Sequence, residues 1–470
     1  MPQDRMNRRT LLAGTTALSA AALLSGRAAA QPASAGLPAR REFVIRGANV
    51  LTMDDRLGDF ATGDVHVRDG AIVAVGATVA APGAEVIDGK AMICLPGFVD
   101  THWHHWTTIL RPVMRADDPK KTYFPVTFAL GLHYTAEDSY RAVRLGLAEA
   151  VSAGVTTTQN WAHNVRGPAH ADAEVRAMRD AGLRGRFAYG PGLGMPNDQP
   201  MDFNDIARVK RDLANDPMIT LGICSRNVDG NTGGSRGAID AAMATKEWAA
   251  ARELGLPITL HTSGIGGIKI LNDAGLLGPD LQLVHPLNTG PDDWAALAKH
   301  GVRYSVSPIG EAARPGEMQF PEMLQAGVKV SISIDNTTAD RCDCFACMRM
   351  MQHINRHRTG GKVKITTKDL VRMATLGGAE DLGLDKVTGS LTPGKRADLV
   401  LVRTDGTHMR GLGDAYDALV QQAHTGDVDT TIVDGRVLFR DRKFTALDYA
   451  KLEADGLQSV ATLTAKAKWT

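Results

Sequence analysis

The sequence is poor in cysteine, with five in 470 residues, and in aromatics, at 5%. So few thiols, in an odd number, exclude a disulfide framework as the source of stability. Neither sign of charge is in excess: 53 Lys and Arg face 52 Asp and Glu. That balance excludes the clustered basic surface a nucleic-acid partner requires. A bilayer span needs ~20 apolar residues, and the longest such run, Leu11 to Leu24, has about 14. Internal repeats, low-complexity tracts and coiled-coil heptads are absent. Glycine is plentiful, at 49 residues, which suits many tight strand–helix connections. The length predicts one large domain with a smaller one beside it.

Residues 1–30 read as an export signal rather than as part of the fold. Arg8-Arg9 precedes the apolar run, and Ala28-Ala29-Ala30 offers a small-residue cleavage site before Gln31. The paired arginines favour the twin-arginine route over a retained anchor. A periplasmic or secreted protein without stable membrane insertion is expected.

Residues 42–95 hold short β-branched runs broken by Gly, Asp and Asn turns, and the same texture returns over 388–445. These two ends are expected to join in one small β-sandwich. Between them, over 96–387, short apolar runs alternate with helical stretches, the signature of parallel βα units. Eight candidate strands fall at 97–102, 154–161, 185–190, 218–224, 257–262, 281–285, 302–307 and 328–335. The α/β fold predicted is a (β/α)8 TIM barrel, followed by a helical tail over 446–470. An open doubly wound sheet is the alternative.

The chemistry concentrates at strand ends. In LPGFVDTHWHHW (95–106), His102 and His104 stand two apart at the end of the first barrel strand, so period two turns both imidazoles to one face. His261 closes the fifth strand, His285 the sixth and Asp335 the eighth. All sit at C-terminal strand ends, the face where barrel active sites form. Neutral imidazoles with a carboxylate make a divalent-metal site.

This set, with GSLTPGKRADLVLV at 389–402, resembles the amidohydrolase superfamily over essentially the whole chain after residue 30. The chain is most similar to the cytosine deaminase and triazine hydrolase branch, through SVSP at 305–308 and the helical segment at 134–157. The resemblance implies that His102, His104 and His261 ligate a metal and that Asp335 completes the shell and accepts the proton of the attacking water. It implies that His285 polarises the substrate. A bound divalent ion lowers the pKa of water to roughly 7, and a carboxylate beside it can relay the proton to a leaving nitrogen. Binuclear members carry a bridging Lys at the fourth strand. MITLGICSRN (218–227) has none, so one ion per chain is expected, Zn2+ foremost, with Fe2+ or Mn2+ as alternatives. Cys224 is read as a buried thiol rather than a bridge.

The chain departs from its branch at one position. Deaminases of the branch carry HxxE after the fifth strand, whereas here the motif is HTSG, ending in Gly264. Acid duty would fall to His105, His163 or Glu311, or the substrate would not need it. Trp103, Trp106 and Trp161, with Ser307, His163 and Glu311, are expected around the pocket. Cys342, Cys344 and Cys347 form C-x-C-x-x-C with no fourth ligand nearby, and a structural role is expected. The predicted function is metal-dependent hydrolysis of a non-peptide carbon–nitrogen bond (amide, carbamate, urea or cyclic amide) in a small molecule, in an enzyme expected to be a homo-oligomer. Deamination or dehalogenation of a heteroaromatic ring is the alternative chemistry. A non-catalytic periplasmic binding protein is the alternative of another class.

Overall fold

The computed structural model describes residues 36–228, 238–262, 266–314, 316–411 and 413–469. The proposed signal (1–30), Gly264 and the whole glycine-rich stretch 233–237 lie outside the described residues.

Five strands open the described chain: β1 (Phe43–Val50), β2 (Phe60–Arg68), β3 (Ala71–Gly76), β4 (Glu85–Asp88) and β5 (Met92–Pro96). Eight more follow as β6 (Phe98–Trp103), β7 (Val155–Ala162), β8 (Arg184–Tyr189), β9 (Ile219–Cys224), β10 (Ile258–His261), β11 (Leu281–Val284), β12 (Arg303–Val306) and β13 (Lys329–Ile332). These eight pair in parallel, in sequence order. They coincide with the eight expected strands to within a few residues. β6, β7 and β8 are buried at every position, as parallel strands covered on both faces require. The barrel closes between β6 and the residues just after β13. Asp335 N donates to His102 O at 2.8 Å, and His104 N donates to Asp335 O at 2.7 Å.

The bore is polar below the site. Thr101 Oγ1 lies 2.8 Å from Ser305 Oγ and 2.9 Å from Ser331 Oγ, and Gln159 Nε2 donates to Gln282 Oε1 at 2.8 Å. Helices cover the outside. Among them α1 (Tyr123–Gly131) and α2 (Ala136–Ser152) follow β6, and α3 (Pro168–Ala181) follows β7. α2 starts where Thr135 and Asp138 cap each other reciprocally, satisfying amides a helix start leaves unpaired.

β14 (Leu399–Arg403), β15 (Val428–Val433), β16 (Arg436–Arg440) and β17 (Lys443–Phe444) return to the first five strands. The two chain ends form one nine-stranded sheet joined at β5, which pairs β1 on one side and β14 on the other. Side chains from both ends, including Phe43, Val65, Leu399 and Ile432, share one apolar core, which the sheet wraps around. Arg184 at the start of β8 ties barrel to sheet: its Nε donates to Asp398 Oδ2 at 2.6 Å, both side chains buried. A final helix, Tyr449–Lys466, packs on α2. Among the described residues, no helix is long and apolar enough to cross a membrane.

Candidate metal centre

His102 and His104 enter the bore from the end of β6, His261 from β10, His285 from the residue after β11, and Asp335 from the barrel seam. His285 and Asp335 both adopt positive φ, 57° and 72°. That conformation is costly for residues with a Cβ and recurs where structure aims a functional side chain.

The side chains meet at one focus. His102 Nε2 lies 3.3 Å from His261 Nε2, and Asp335 Oδ1 lies 3.5 Å from His102 Nε2 and 3.4 Å from His104 Nε2. Ligands at ~2.1 Å around a tetrahedral ion stand roughly 3.4 Å from one another, so the spacing matches a shared cation. Protonation states match too. Burial drives His102 down to about 4 and holds His104 and His261 well below the ordinary imidazole value, leaving lone pairs for a metal. Burial alone would raise Asp335, but His285 and Arg314 hold it well below the usual carboxylate range, so it is ionised. The Nδ1 atoms of His102 and His104 are buried without a hydrogen-bond partner, so neither imidazole is committed elsewhere. By these tests the residues fit a divalent metal.

His285 sits beside this focus. Its Nε2 lies 3.6 Å from Asp335 Oδ2, and its Nδ1 lies 3.0 Å from Glu311 Oε1. Glu311 also accepts from Tyr304 Oη at 2.7 Å and from the Ser307 amide at 2.9 Å.

A cavity of about 310 Å³ opens beside His261, walled by Phe128, Leu132, Trp161, His163, Leu193 and Met195, with Ser225, Arg226 and Asn227 also lining it. Of the residues expected around the pocket, Trp161 and His163 line this cavity and four do not. Trp103 is turned outward by strand alternation and stacks on His105 at 4.2 Å. Trp106 is fully buried behind the cavity wall. Ser307 Oγ is spent on Ser333 Oγ at 2.8 Å within the barrel. Glu311 lies behind His285, on the short helix Pro308–Ala312 that follows β12. His105, the other acid candidate, is buried outside the bore with Nε2 3.0 Å from Thr158 Oγ1.

Arg314 was missed. Its guanidinium donates to Asp335 Oδ2 at 2.8 Å. It sits in an irregular loop with no periodicity, and nothing local shows that the loop turns it to the seam. The apolar wall from α1 and the 191–195 loop was also illegible, since neither carries a motif.

The three clustered cysteines are free and buried at the start of the helix Cys344–Thr359. Burial pushes all three thiols up, opposite to a reactive thiolate. Cys224 Sγ donates to Ala188 O at 3.3 Å, away from any bridging position. Another group of possible ligands, His408, His424 and Asp427, lies at the surface. There His424 Nδ1 accepts from the Gly426 amide at 2.9 Å, which places the neutral ring's proton on Nε2. This cluster is a hydrogen-bonded strut.

The amidohydrolase family model matches residues 93–438. The chain is 30% identical over 433 residues to a 5-methylthioadenosine/S-adenosylhomocysteine deaminase of Symbiobacterium thermophilum, covering 85% of this chain and 94% of that one. It is 28% identical over 444 residues to a 5'-deoxyadenosine deaminase of Methanosarcina mazei, covering 90% and 99%. An adenosine deaminase from Xanthomonas campestris, solved with bound zinc, shares the fold with a TM-score of 0.78 at 21% identity, covering 91% of this chain and all of that one.

Proposed function

This chain belongs to the amidohydrolase family and is a metal-dependent hydrolase of non-peptide carbon–nitrogen bonds in small molecules; on that premise we propose that its substrate is a cyclic amide, amide, carbamate or urea. The observation that carries the choice is Gly264 three residues after His261, where ring deamination would use an acid. Adding water to an aminated heteroaromatic carbon places charge on a ring nitrogen, which then needs a proton. Adding it to a carbonyl carbon places the charge on oxygen, which hydrogen bonds and a cation stabilise directly.

His102, His104 and His261, with Asp335, would hold the ion, and we favour zinc, the metal bound in the structural relative. When bound, a divalent ion supplies Lewis-acid activation of a water. Asp335, ionised, takes the proton from the attacking water and returns it to the departing nitrogen. His285 faces the same focus and is aimed by Glu311. Trp161 lies against His261, ring centroids 4.4 Å apart, and offers a flat wall to a planar group.

A second reading, deamination of an adenosine-type substrate, is favoured by the deaminase relatives. A substrate panel separates the two. Ring-opened or carboxylate products from cyclic amides and ureas support the first reading, and ammonia released from an exocyclic amine supports the second. Asp335→Asn should abolish either turnover, whereas a non-catalytic binding protein would keep its ligand.

We further propose export by the twin-arginine route and function in the periplasm or outside the cell, on the strength of Arg8-Arg9, the apolar run and the alanine cleavage site. An exported protein whose first residue is Gln31 is the expected result, and a full-length cytoplasmic product would refute it.

A further inference from the structure

Trp106 Nε1 lies 3.1 Å from His163 Nδ1. An indole N–H can only donate, so Nδ1 must present its lone pair. A neutral imidazole has one proton, which must then sit on Nε2. The competing partner is the Trp161 carbonyl, 3.4 Å from the same Nδ1. It would demand the opposite tautomer, leaving the buried indole without an acceptor. The shorter contact prevails.

The donor is held in place. Trp106 is fully buried, its carbonyl accepts from Tyr134 Oη at 3.0 Å, and Tyr134 packs edge-on against its ring. A Cβ at Gly131 would stand 2.5 Å from Leu193 Cδ1 and 3.1 Å from the Trp106 ring, so the glycine lets α1 lie close over the indole. His163 packs edge-on to His104, ring centroids 4.4 Å apart, and lines the cavity with Trp161 and His261. With Nδ1 turned to the indole, the Nε2 edge is left to the cavity.

We propose that His163 is a catalytic hydrogen-bond donor, a neutral imidazole whose Nε2–H binds an acceptor atom of the substrate next to the carbon under attack. This rests on the proposed hydrolysis of a carbonyl-type bond. An Nδ1 that accepts the indole N–H carries no proton, so the ring holding it is uncharged. No proton leaves it, since imidazolate is far too basic; it contributes a fixed dipole aimed where negative charge develops. It compensates for Gly264 by a different device, stabilising an oxygen where a carboxyl would protonate a ring nitrogen.

The test uses the zinc-loaded full chain labelled with 15N-histidine. Long-range 1H–15N spectra report which nitrogen is protonated, and the His163 signals are identified by their loss in His163→Gln. The expected result is protonated Nε2 and bare Nδ1, with the Nε2–H resonance moving downfield as acetamide is titrated to saturation. In Trp106→Phe the tautomer should switch as Nδ1–H turns to the Trp161 carbonyl. On any panel substrate that turns over, His163→Ala should lose about 100-fold in kcat/KM. His163→Gln, which keeps an N–H there, should retain most of it, both variants holding their zinc. A bare Nε2 in the parent protein, no response to acetamide, or full activity in His163→Ala would overturn the assignment. If no panel compound is hydrolysed, the proposed function fails, and the spectra still decide the donor.

Discussion

His285 Nδ1 lies 3.0 Å from Glu311 Oε1, and both side chains are wholly withdrawn from solvent. The carboxylate holds the imidazole at one angle, with Nε2 toward Asp335. Glu311→Ala would strip partners from three buried donors: His285 Nδ1, Tyr304 Oη and the Ser307 amide. At ~1–3 kcal/mol for each buried donor left unpaired, a loss of about 3 kcal/mol or more is expected, with a fall of at least 10-fold in kcat. Metal content should not change, because Glu311 contacts none of His102, His104 and His261. Thermal unfolding and elemental analysis check this, and an unchanged unfolding midpoint would contradict the assigned role.

The spacing of His102, His104, His261 and Asp335 predicts about one ion per chain. His102→Ala should bind almost none, because His102 touches both His261 and Asp335. Chelation of the parent protein should lower its melting temperature, and zinc should restore it. At a free metal concentration 100 times the dissociation constant, the linked stabilisation is about 2.7 kcal/mol. Two ions per chain would require a bridging ligand that the end of β9 lacks.

Glu174 on α3 is fully buried, and its carboxyl is raised to about 8, chiefly by burial, while the Asn160 amide at 2.9 Å opposes the shift. Its folded pKa lies above the unfolded value of 4.5. The unfolded chain therefore releases this proton first, and stability from the group is complete below about 4.5 and lost as pH rises through about 8. Glu174→Gln should remove that loss. Unfolding midpoints between pH about 4.5 and about 8 should decline less steeply in the variant, and parallel profiles would exclude Glu174 as the cause.

Arg184 and Asp398 form a buried ion pair between barrel and sheet, and Asp398 Oδ1 also accepts the Asp434 amide at 2.7 Å. Asp398→Ala leaves the buried guanidinium, among carboxylates, only the longer 3.6 Å contact with Asp434 and should cost about 3 kcal/mol. Pairing it with Arg184→Met should recover much of that loss, since the buried charge is then gone. A denaturant series on the two variants checks this, and equal midpoints for single and double variants would argue against the pair.

The sequence by itself determined the eight-stranded barrel, because β-branched runs alternating with helical stretches carry their period locally. It also determined the metal focus: parallel strands all point one way, so residues ending β6, β10 and β11 must converge on one face wherever the helices pack. The glycine at 264 was legible for the same reason, being a fixed offset from His261. Only the tertiary structure decided which neighbours serve that focus. Trp103 and Trp161 look alike in sequence, yet one stacks on His105 outside the bore and the other lines the cavity. Glu311 and Arg314 lie three residues apart on one short segment, but the first turns under His285 and the second reaches Asp335. The tautomer of His163 depends on Trp106, far from it along the chain. These choices depend on loop conformation and on contacts across the barrel seam, which no local period encodes.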